Sequence, residues 1–99
     1  MALVKIPTPL RRLTNEKDEV SISSNSVKQM IVDLESQFPG IKDRLCDENG
    51  EIRKYINIYV NEEDIRFLQG PDTNIGEADT VSIIPAIAGG LIKKIFNFI

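Results

Sequence analysis

Three groups of residues in this chain have types that could do chemistry. The first is Cys46, the single cysteine. A thiol attacks as its thiolate, which forms near a base or a cation. The chain has no histidine, so Cys-His pairs, Ser-His-Asp triads and imidazole metal sites are excluded. Cys46 is therefore expected to be a small packing residue near the end of a short helix. Without a second cysteine it can close neither an internal disulfide nor a CxxC site. The second group is Glu62-Glu63-Asp64, whose carboxylates are of the type that holds a hard cation. The spacing of an EF-hand loop is missing, and a solvated acidic turn is expected. The third group is main chain: Ile84-Pro85-Ala86-Ile87-Ala88-Gly89-Gly90. Its small residues leave a thin segment, and glycine, lacking Cβ, can enter a narrow channel in extended form.

Such a segment is useful only if its root is held. The residues before it, Thr80 to Ile84, read as a strand with Val81 and Ile83 on one face. Ala2 to Ile6 is a first strand, ended by Pro7 and Pro9. Leu10 to Asp18 reads as a polar loop or hairpin connection, and Glu19 to Ser23 as a second strand. A helix is predicted from Val27 to Phe38, because Val27, Met30, Ile31, Leu34 and Phe38 form one apolar stripe. Ser26 and Gln29 have the spacing of a capping box, and Pro39-Gly40 stops the helix. Ile41 to Leu45 adds a short helical turn, and Asp47 to Gly50 a polar turn. Tyr55 to Val60 is the strongest strand, Ile65 to Leu68 a short returning strand, and Gly70-Pro71-Asp72 a turn.

One amphipathic helix with a mixed sheet makes a two-layer α+β domain. Two strands before the helix and more after it suit a ubiquitin-like β-grasp roll, with the first and last strands parallel at the centre of the sheet. A ferredoxin-like fold would need a second full helix.

The chain has 99 residues, enough for one small domain. Its hydrophobic content of 41% and charged content of 27% indicate a globular domain. A net charge of −3 argues against nucleic acid as the main partner. Met1 to Pro9 lacks the apolar core of a signal peptide, and no apolar run approaches the roughly 20 residues that span a bilayer. A reducing, cytoplasmic location is expected, with no membrane partner.

The stretches Tyr55-Ile56-Asn57-Ile58-Tyr59-Val60-Asn61-Glu62-Glu63-Asp64-Ile65-Arg66-Phe67 and Val81-Ser82-Ile83-Ile84-Pro85-Ala86-Ile87-Ala88-Gly89-Gly90 resemble the MoaD/ThiS family of ubiquitin-like sulfur carriers. They look closest to its CysO-type branch, which serves cysteine biosynthesis. Ile6-Pro7-Thr8 and Val32-Asp33-Leu34-Glu35 also fit. The departure is Leu91 to Ile99, because typical members stop at the second glycine.

The resemblance implies a carrier domain over residues 1–90 and a removable extension over 91–99. It implies cleavage between Gly90 and Leu91, then adenylation of the Gly90 carboxylate and its conversion to a thiocarboxylate. Pro85, Ala86, Ile87, Ala88 and Gly89 would enter the channel of the partner. The sulfur would serve cysteine, homocysteine or a related metabolite. The chain itself would be no enzyme and would bind no cofactor. ATP and zinc would belong to partners: an adenylating and sulfurating enzyme, a zinc metalloprotease of the JAMM type, and an enzyme that accepts the sulfur. A protein modifier joined through Gly90 and the small subunit of molybdopterin synthase are the alternatives within the same activation chemistry.

Overall fold

The structure, a computed structural model, describes residues 1–86 of the chain. Its strands are β1 (Ala2–Lys5), β2 (Glu19–Ile22), β3 (Ile56–Val60), β4 (Glu63–Asp64) and β5 (Thr80–Pro85), and its helices are α1 (Val27–Gln37) and α2 (Ile41–Leu45). The sheet order is β2-β1-β5-β3-β4. β1 and β5 are parallel, with Val4 opposite Val81, and the remaining pairs are antiparallel. The expected roll is therefore present, with the first and last strands side by side inside the sheet.

Strict alternation drives this arrangement. Ala2, Val4, Val20, Ile22, Ile56, Ile58, Val60, Val81 and Ile83 all point to one face and are buried. The stripe Val27, Met30, Ile31 and Leu34 of α1 covers them, and Phe38 closes the end of the helix. Each large side chain buried there contributes about 1.5–3 kcal/mol. Ser26 caps α1 by accepting the Gln29 N–H at 3.1 Å. The reciprocal half of the expected capping box is absent: the Gln29 amide donates to Asp33 instead, at 3.1 Å.

Two connections differ from expectation. Thr8–Leu13 is a 3-10 helix that buries Leu10, not a plain polar loop. Pro9 suits the start of that turn, where a missing N–H costs nothing. Ile65–Phe67 is also a 3-10 helix rather than a returning strand, and Glu63-Asp64 forms the edge strand. Asp64 decides this switch: its carboxylate accepts the Arg66 N–H at 2.8 Å and caps the turn. Gly70–Asp72 is a third short 3-10 turn. Among the described residues, no helix is long and apolar enough to cross a membrane.

Candidate functional site

The thin segment begins where β5 ends. β5 is flanked by β1 and β3, so the strand that leads into it is anchored on both edges. Pro85, the last residue of β5, lies opposite Ile56. A proline tolerates this position because the ladder ends there. Ala86 is exposed, and its N–H donates to the Tyr55 carbonyl at 2.6 Å. Ile87, Ala88, Gly89, Gly90 and Leu91, together with the expected cleavage between the last two, lie outside the described residues.

The backbone that receives Ala86 is held from its other side by Arg66. Lys54 and Tyr55 form the turn that leads into β3. The Tyr55 carbonyl faces β5, while those of Lys54 and Ile56 accept from the Arg66 guanidinium at 2.9 and 3.0 Å. Arg66 also donates to the Asn57 side chain and pairs with Asp64 at 3.3 Å. Its planar fork suits this multiple recognition better than a lysine would. β4 is only two residues long, so Arg66 occupies the part of the β3 edge that β4 leaves open. Residue types and spacing did not single out Arg66; the nearest signal was the acidic residue two positions before it.

Beside this root Tyr55 is 50% exposed and Ile84 47%, and Phe67, in the 3-10 turn after β4, is 88% exposed. Ile84 shares a register position with Asn57 on the face of the sheet away from the core. An exposed apolar group rimmed by polar residues marks an interaction surface more often than chance.

The other two candidates play different parts. Cys46 is buried, as expected, and is bridged to Ile52. Burial is the main reason its thiol is pushed above the ordinary value, and the charge of Lys42 opposes it. It has none of the character of a catalytic thiolate. The Glu62-Glu63-Asp64 run is split by the fold: Glu63 and Asp64 form β4, and Asp64 turns to Arg66.

Comparison with known proteins follows the same outline. A model of the ThiS family matches residues 4–90. The sulfur carrier protein CysO of Mycobacterium tuberculosis (strain ATCC 25618 / H37Rv) is 45% identical over 89 residues, 88% of this chain and 96% of that protein. A chain in the crystal structure of the Amycolatopsis orientalis BexX/CysO complex superposes with a TM-score of 0.85 at 41% identity, covering 91% of this chain and 100% of that one. Mycobacterium tuberculosis CysO superposes with a TM-score of 0.83 at 42% identity, covering 88% and 100%. These matches bear out the resemblance drawn from Tyr55–Phe67 and Val81–Gly90, and the fold is a ubiquitin-like β-grasp. The family match extends over most of the sequence, and the chain belongs to the ThiS family.

Proposed function

We propose that this chain is a sulfur carrier, made with a removable segment at 91–99, that bears sulfur on the main chain at Gly90. The observation that carries this reading is the continuity of β5, a strand inside the sheet, with a run of small residues ending in Gly89-Gly90. The family match, which ends at residue 90, supports the same boundary.

The chemistry follows from the terminus. A free carboxylate is a poor electrophile. Cleavage of the Gly90–Leu91 peptide bond by a zinc protease of the JAMM type would create that carboxylate. An activating enzyme then transfers AMP from ATP to it, releasing pyrophosphate. Sulfide attacks the acyl-adenylate carbon, AMP leaves, and a thiocarboxylate remains. The carrier supplies no acid, base or metal to these steps. Its part is to present the terminus and to dock, and the exposed Tyr55 and Ile84 beside the root, with Phe67, give an enzyme something to grip. The matched Amycolatopsis orientalis structure is a complex of CysO with BexX, which supports docking on a partner protein. A final enzyme would transfer the sulfur toward cysteine, homocysteine or a related metabolite. The setting is the cytoplasm, where thiols stay reduced.

Intact mass of the protein recovered from its native cell tests this reading. The expected species ends at Gly90, and a fraction is heavier by the exchange of one oxygen for sulfur. A functional pool that retains Leu91 to Ile99 throughout would overturn the pro-form. Lysine adducts on other proteins with no thiocarboxylate pool would instead make the chain a protein modifier.

A further inference from the structure

The described residues leave one large apolar groove open. It has a volume of about 720 Å³ and runs between α1 and the start of β3. Val32 and the partly buried Ile52 line it, with the buried Ile31, Ile56, Ile58 and Ile65 behind them. Val32 is 49% exposed, so α1 presents an apolar residue to water on this side. The groove opens where β4, two residues long and paired only with Tyr59 and Val60, leaves the first half of β3 without a strand neighbour on that edge. A cavity of this size takes a few side chains rather than a whole domain.

We propose that this groove is the docking site for the chain's own segment 91–99, held there while that segment remains attached. Three observations point to this occupant. The first is where the chain leaves the fold. The Ala86 N–H is bonded to the Tyr55 carbonyl, and the residues on either side of Tyr55, Lys54 and Ile56, both line the groove. The second is reach. The four residues Ile87 to Gly90 span up to about 13 Å when extended, more than the spacing of about 4.8 Å that separates neighbouring strands such as β5 and β3. The third is pattern. Leu91, Ile92, Ile95, Phe96 and Ile99 are apolar, and the only charges, Lys93 and Lys94, fall together between them. Apolar side chains on one side can fill the groove while both lysines stay in water.

Docking gives the segment a place to bury apolar surface that would otherwise be exposed. Its removal would open the groove on the shortened chain. This proposal depends on the segment being attached and not on the carrier reading, so either can fail alone.

The test uses the full chain. In isotope-labelled protein, the Phe96 ring should show nuclear Overhauser contacts to methyl groups of Val32 and Ile52. The double substitution Ile92→Asp and Phe96→Asp should abolish them and shift the amide signals of Gly50, Ile52 and Lys54. Glu19 to Ile22, on the far edge of the sheet, should not move. Val32→Asp, at an exposed position, should release the same contacts without loss of the sheet signals. Unchanged groove signals in the double variant overturn the proposal. So do contacts seen only between differently labelled copies, which would make the occupant a second molecule.

Discussion

Ala86 and Arg66 hold opposite edges of one short stretch of backbone. Ala86 donates to the carbonyl of Tyr55, and Arg66 donates to the carbonyls of Lys54 and Ile56 on either side of it. The root of the tail is thus fastened through a strand that is itself braced from outside.

Loss of the brace should be measurable. Arg66→Ala takes the guanidinium away from two carbonyls and from Asp64, whose carboxylate keeps the backbone N–H of residue 66. Arg66 is half exposed, so water replaces part of what is lost, and destabilisation of roughly 1–2 kcal/mol is expected. Arg66→Lys should recover little of it, because an ammonium cannot span the same acceptors. Urea unfolding midpoints of the three proteins check this.

The tail should tolerate substitution in folding but not in use. Gly89→Val, in a chain ending at Gly90, is expected to unfold at the same urea concentration as its parent. It should gain little or no thiocarboxylate with the activating enzyme, ATP and sulfide, because a branched side chain adds Cβ bulk and restricts the backbone. Loading at the rate of the parent, read by intact mass, would refute the narrow-channel explanation.

Glu35 links α1 to α2. Its carboxylate accepts the Lys42 N–H at 2.9 Å and the Gly40 N–H at 3.2 Å. These bonds, that to Lys42 first, hold its pKa below the ordinary value. A carboxylate depressed in the folded state stabilises the fold above its unfolded pKa. That stability fades as pH falls through the lower, folded value. Asp79, held down by the Gly76 N–H and then by Asn61, acts in the same direction. Glu35→Gln should lower the urea midpoint at pH 7, and the difference from the parent should vanish at pH values below the folded pKa. A constant difference across that range would contradict the assignment.

Cys46 should be inert while the protein is folded. Burial both shields the sulfur and raises its pKa, so a thiol reagent at pH 8 should react at least about tenfold more slowly than with a free thiol. Adding urea past the unfolding midpoint should restore the ordinary rate. Cys46→Ala should leave thiocarboxylate formation intact, because the proposed chemistry places sulfur on the main chain and not on a side chain.

Elements whose patterns are local and repeated could be read from the residues alone. The stripe from Val27 to Leu34 admits a helix, and the alternation in Tyr55 to Val60 and Thr80 to Ile84 admits strands that bury one face. Ser26 was legible as a cap because capping acts across three residues. The tail was read from its small residues and its place after the last strand, and of it the structure describes Pro85 and Ala86. Tertiary structure alone decided the short segments. Ile65 to Leu68 has strand-like residue types, yet the Asp64 carboxylate captures the Arg66 N–H and turns the chain after two residues of β4. Arg66 can then reach back across the edge of β3 to Lys54 and Ile56, 12 and 10 positions earlier. Such a contact leaves no periodic trace, because nothing in the residue types says which two distant backbones a guanidinium will find. The groove beside α1 likewise exists only once α2, β3 and the turn at Gly70 are placed around it.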